Sequence, residues 1–417
     1  MTVEPLAAVD AQTYWMASKM PSDQFLLYAF DGVPADFDVL IRELAGRAES
    51  CPDLKLRIVD DNRWRYPRWA PAPVRDGRFR RHDAPLDWPG CLDAVAALAV
   101  DQLQPRESAW RVNLFAPVSG VPRVSGPATV AVVQIAHALA DGTRAAELAG
   151  WLFGRPHQPG PIRCTRRGSL LLRSIAAGRV HRDLSAAIAA GDLSPAPPPR
   201  PPLPTNACPP GPHRIRTLIA DRAALAGEST VTVAALSAIS TALAGYLADR
   251  GADASGLAAE VPLRKSGNTN ARNHFRNVGV GLHPDLPRQE REQRIAAELA
   301  AARRRADHPA ALAEDRALAA VPPALLRWGT DRFDPAARAP TVTGHTVVSS
   351  INRGPADLRL GGCPVLFTAG YPALSPMMGL THGVHGLGDT VALSVHAASS
   401  IDLDDYLPRL ALALPSA

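Results

Sequence analysis

The residues best placed to do chemistry are His137, Asp141 and Gly142, spaced H-x-x-x-D-G inside residues 129–153. A neutral imidazole accepts a proton from a hydroxyl, amine or thiol near neutral pH, which makes His137 a candidate general base. Asp141 reads as a brace, a carboxylate that pairs with a cation elsewhere and holds the turn, and equally as the N-cap of a helix beginning at Gly142. Gly142 has no Cβ and leaves the approach to the imidazole open to a thin, extended ligand. Taken alone, the same spacing also fits a core histidine beside a helix cap.

The elements around this triplet are legible. Residues 129–135 form a β-branched apolar run of the kind that builds a strand buried on both faces. Residues 144–153 have helical apolar spacing, so His137 falls where a buried strand stops and a helix starts, a place where scaffolds hold chemistry.

The octet IAHALADG at 135–142 resembles the signature of the superfamily of chloramphenicol acetyltransferases, peptide-synthetase condensation domains, plant BAHD acyltransferases and bacterial wax ester synthase/diacylglycerol acyltransferases. The chain most resembles the last group. PLAAVDA at 5–11 is similar to its opening segment, RESAWRVNL at 106–114 to its "PLW" segment, and VPLR at 261–264 with Gly267-Asn268 to its "VPvslR…gN" segment. SSINRGP at 349–355 resembles its "SNvpGP" loop. Three departures stand out: Ala136 replaces the first of the group's paired histidines, Ser108 and Ala109 replace the proline and leucine of "PLW", and the plant "DFGWG" loop is absent.

The resemblance implies an α/β fold of mixed sheets, with two chloramphenicol-acetyltransferase-like subdomains packed as a pseudo-dimer around a tunnel. It implies acyl transfer from a CoA or carrier-protein thioester to a hydroxyl or amine acceptor, with His137 as base and no resident cofactor or metal. Asp141 would be held by an arginine of the second half, for which Arg264 is the match, and the loop carrying Ser349, Ser350 and Asn352 would supply oxyanion donors. The altered histidine and "PLW" positions point to an unusual acceptor. The alternative is a repurposed or catalytically silent member of the same fold in a biosynthetic pathway, serving carrier-protein docking, cyclisation or dehydration.

Composition sets the wider frame. With 417 residues and 46% hydrophobic content, the chain has ample material for a core. Five dispersed cysteines without C-x-x-C spacing suggest a reducing cytoplasm rather than a disulfide framework or a zinc site. The formal charge of +5 comes almost wholly from arginine and gives no support to nucleic-acid binding. The clusters at Arg163, Arg166 and Arg167 and at 303–305 read as solvated faces; their functional reading is attraction of a CoA phosphate, an acidic carrier protein or an anionic membrane surface. No run of about 18 uncharged apolar residues is expected, so membrane contact would be peripheral. His382 and His385 could suggest a metal, but no third ligand has suitable spacing, and the surrounding glycines suggest a turn or loose strand.

Residues 194–212 hold so many prolines that they read as an extended linker between an N-terminal subdomain, 1–193, and a C-terminal one, 213–417. Strands are expected at 24–30, 54–59, 63–66, 110–115, 213–219, 257–263, 277–282, 345–351, 365–369 and 390–396. The 54–59 and 63–66 pair reads as a hairpin, with Trp64, Tyr66 and Trp69 as packing aromatics, and His82 reads as structural. The principal helices are expected at 35–49, 91–103, 170–190, 231–247, 288–305 and 403–414.

Overall fold

The computed structural model describes residues 4–162, 168–267 and 271–415. Arg163, Cys164, Arg166, Arg167 and Asn268 lie outside the described residues. The strand Ala128–Ile135 is buried at every position, as its apolar run requires. It pairs antiparallel with Gln24–Asp31 on one side and Trp110–Ser119 on the other, at the centre of a seven-stranded sheet. The second sheet has six strands, in the order Phe275–Gly281, Ala258–Arg264, Thr346–Asn352, Leu380–Leu387, Thr390–Ala397 and Arg214–Asp221. The mixed-sheet α/β architecture is as expected, and each sheet packs into its own apolar cluster with helices over it.

The division into halves is not a clean cut in sequence. Cys363–Gly370, from late in the chain, crosses over and pairs antiparallel with Gln24–Asp31 as a strand of the first sheet. Residues 194–212 are prolines with anchors. Thr205 is fully buried and donates its hydroxyl to the His345 carbonyl at 2.9 Å, while the Asn206 amide reaches the carbonyls of Gly344 and Met377 at 3.1 and 3.0 Å.

Several local expectations are corrected. Of the turn or loose strand expected, residues 380–387 form a strand, and it is buried at every position rather than loose. Its glycines serve close approach: a Cβ on Gly383 would stand 2.1 Å from the Gly370 carbonyl oxygen, where the two sheets touch. The hairpin near 60 pairs Leu56–Val59 with Arg68–Pro71, so the second strand begins only after Pro67 and Trp64 is 79% exposed in the connection, whereas Tyr66 and Trp69 are buried. The helix Val231–Ala248 holds 18 residues without a charge, contrary to the expected absence of such a run. Twelve of its residues are buried, ten of them within the second core cluster, so its apolar content is used in packing this fold.

Candidate active site

His137 follows the buried strand by two residues and is half-buried, as placement at a strand end predicts. Asp141 is the N-cap of Gly142–Leu152: its Oδ1 accepts the Arg144 backbone N–H at 2.9 Å, satisfying one of the donors that a helix start leaves open. Its Oδ2 accepts the His274 backbone N–H at 3.0 Å, and its own N–H donates to the Arg272 carbonyl at 3.0 Å. The expected ion pair with Arg264 does not form among the described residues. Arg264 is exposed at the end of Ala258–Arg264, and backbone groups of 272–274 take the place given to it.

Four consecutive residues of the second half, 272–275, grip the signature. Asn273 donates its side-chain amide to the His137 carbonyl at 2.9 Å, and the Phe275 ring lies 5.6 Å from the imidazole, centroid to centroid. Arg272 spans to Asp53 with both terminal nitrogens, at 2.8 and 2.9 Å, while Arg144 reaches the same carboxylate at 2.6 Å. All three side chains are buried. Burial alone would raise the Asp53 carboxyl, but the two guanidiniums outweigh it and hold it below the usual carboxylate range. Asp10 anchors the same segment, accepting the backbone N–H groups of Arg272 and Asn273 and the Asn273 amide, each at 2.9 Å. Its complete burial dominates these bonds and pushes its carboxyl up to about 6.

Sequence reading missed Asp53, Arg272, Asn273 and His274. The only available signal for the anchor was Asp10 within the PLAAVDA segment. His274 lies beside Asp141 with its Nε2 buried and unpartnered; burial, followed by Lys265, lowers its basicity.

His137 lines a cleft of about 640 Å³ between the sheets. Met16, Met20, Phe25, Leu26, Leu374 and Met378 give it an apolar lining, to which the neighbouring strands Ala258–Arg264 and Phe275–Gly281 add Glu260 and Asn277. A second cavity of about 220 Å³, walled by Arg144, Arg272, His274 and Glu147, adjoins it, and Asp141, Thr143 and Arg264 line both. The His137 Nδ1 is buried without a hydrogen-bond partner among the described residues.

The other sequence candidates separate. Ser349 and Ser350 line the cleft, and the Ser350 hydroxyl shares a 2.7 Å hydrogen bond with Thr232. Asn352 is exposed, and its Oδ1 accepts the Gly354 N–H at 3.1 Å, so it shapes the loop rather than the cleft wall. A Cβ on Gly142 would fall 2.4 Å from the Ile351 Cδ1, so the glycine makes room for a side chain of the second half, and it lines the cleft beside His137. His82 stacks on Phe115, with ring centroids 4.2 Å apart, and His382 is held between Thr346 and Tyr406, each at 2.8 Å.

No protein-family model matches the chain, and no curated protein matches it in sequence. Solved structures do. The wax ester synthase/diacylglycerol acyltransferase from Marinobacter aquaeolei VT8 aligns over 98% of this chain and 97% of its own, with a TM-score of 0.63 at 18% identity. The starter condensation domain of rhizomide synthetase, as a variant in complex with C8-CoA, aligns over 99% and 95%, with a TM-score of 0.57 at 14% identity. The same domain in complex with C8-CoA and Leu-SNAC gives 0.56 over 99% and 94%, also at 14% identity. With its two mixed sheets, the crossing strand and the cleft between them, the chain has the two-subdomain condensation fold of these structures.

Proposed function

We propose that the protein is an acyltransferase that moves an acyl group from a CoA or carrier-protein thioester to a hydroxyl or amine, with His137 as general base. The observation that carries this reading is the position of His137, half-buried on an apolar-walled cleft that adjoins a second, arginine-lined cavity at Asp141. The long cleft suits an acyl chain, and exposed Arg264 at the shared wall suits the anionic end of a pantetheine-bearing donor. That the neighbours include an acyltransferase and a domain bound to C8-CoA supports the same reaction class.

In the reaction, the acceptor oxygen or nitrogen attacks the thioester carbonyl as His137 removes its proton. The hydroxyls of Ser349 and Ser350 are the donors offered to the tetrahedral oxyanion. The intermediate collapses by breaking the C–S bond, and the departing thiolate takes the proton back from the imidazolium, leaving an ester or amide and a free thiol. Asp141 and 272–275 act by fixing the imidazole, so that both substrates meet it in one geometry.

The test is free-thiol release from a panel of acyl-CoA and carrier-bound acyl thioesters, with and without alcohols and amines, for wild type and His137→Ala. Acceptor-dependent release that the variant loses is expected. Absence of release from every CoA and carrier-bound thioester would overturn the proposal in favour of a repurposed fold.

A further inference from the structure

Arg353 is a buried cation without an acid. It is 4% exposed, one terminal nitrogen donates to the Thr368 hydroxyl and, at 2.9 Å, to the Ala369 carbonyl, and no ion pair to it forms among the described residues. Its Nε is buried with no hydrogen-bond partner among the described residues. A buried guanidinium normally has a carboxylate, because desolvation of a lone charge is costly. The Tyr28 side chain, its ring 5.5 Å from the guanidinium carbon, compensates part of that cost.

The surroundings are built for this side chain. Gly370 has no Cβ where one would stand 2.6 Å from an Arg353 nitrogen and 2.8 Å from the His385 ring. Gly383 likewise yields to His385, whose Cε1 would be 2.6 Å from a Cβ there. His385 is 4% exposed, and its Nδ1 is a second buried atom without a partner. Burial, and then Arg353 itself, keep that ring neutral, so it adds no second positive charge and offers a polar ring nitrogen beside the guanidinium. Arg353, Gly370 and His385 all line the cleft that holds His137. A guanidinium with no carboxylate paired to it and unanswered polar atoms on Arg353 and His385 therefore lie together on the substrate cleft.

We propose that Arg353, with His385 beside it, receives a carboxylate of the substrate, so that one of the two reactants carries a free carboxylate in addition to its reacting group. This rests on the acyl-transfer reading for the word substrate, but the binding itself does not depend on turnover. The guanidinium fork matches the two oxygens of a carboxylate, and burial strengthens the pairing. The carboxylate belongs either to the far end of the acyl group or to a hydroxy-acid or amino-acid acceptor; the chemistry recognised is the same.

The test is calorimetric binding to the full chain, with succinyl-CoA against butyryl-CoA for the donor and 6-hydroxyhexanoate against 1-hexanol for the acceptor. In one arm the carboxylate-bearing probe is expected to bind roughly tenfold tighter than its neutral counterpart, the scale of one charge-assisted pairing. Arg353→Met is expected to remove that preference while melting at or above the wild-type temperature, since it deletes an uncompensated buried charge. Arg353→Lys, which keeps the charge without the fork, should retain part of it. Equal affinities within both pairs in the wild type would overturn the proposal. So would a preference that survives in Arg353→Met. Carboxylate preference without thiol release would leave the site standing and remove the acyl-transfer reading; release without preference would do the reverse.

Discussion

Arg272 grips Asp53 through both terminal guanidinium nitrogens, at 2.8 and 2.9 Å, and so ties the segment that holds His137 and Asp141 to the first half of the chain. Arg144 shares the same carboxylate, which makes the cluster two cations on one buried anion. Breaking such a cluster from one side leaves charge without compensation. Asp53→Ala is therefore expected to cost about 3–5 kcal/mol and to lower turnover, because 272–275 loses its anchor beside the imidazole. Thermal melts and thiol release check both; wild-type melting would show that the cluster carries no such weight.

The partners of Asp141 give a second, separable expectation. Its carboxylate caps a helix and accepts the His274 N–H, and it makes no pair with Arg264. Asp141→Ala should lose the cap, about 1 kcal/mol, and leave the His274 N–H unanswered, about 1–3 kcal/mol more. Arg264→Ala should leave the melting temperature near wild type. Equal destabilisation by the two substitutions would restore the arginine clamp.

Gly142 faces the terminal carbon of Ile351, 2.4 Å from where its Cβ would be. Gly142→Ala is expected to cost roughly 1 kcal/mol, a small overpacking penalty because the clashing atom is the end of a side chain. Ile351→Val removes that atom, so in the double variant the penalty should largely vanish. Additive losses in the double-mutant cycle would place the cause in the backbone instead.

Asp10 carries a pH signature. Its carboxyl titrates near 6 in the folded protein because it is buried, against an ordinary 3.8. The folded chain thus holds this proton more tightly than the unfolded chain does, so the associated stabilisation is complete below about pH 4 and lost as the pH rises through about 6. Melting temperatures of wild type minus Asp10→Asn should fall across that window. Parallel profiles for the two proteins would contradict the assignment.

How much of this was legible follows the range of the interactions. His137 and Asp141 sit where a buried strand passes into a capped helix, and both elements announce themselves within a few residues. The segment 272–275 had no such signal, since its bonds run to residues more than a hundred positions away and its own side chains follow no period. Arg264 was the wrong arginine for a related reason: a strand-end position in VPLR says where the residue is, not which way its partner lies. The strand 380–387 was read as loose because glycine usually weakens strands, whereas here Gly383 admits the neighbouring sheet. Arg353 stayed silent because a lone arginine in a loop looks solvated until its burial is known.

The most direct measurement is the single-turnover rate of ester or amide formation, followed by mass, for wild type and His137→Gln with the best thioester and acceptor. The account predicts product in the wild type and a loss of roughly 10²–10⁴-fold in the variant, the usual contribution of a positioned base, with melting temperature unchanged. A variant that forms product at the wild-type rate would contradict it.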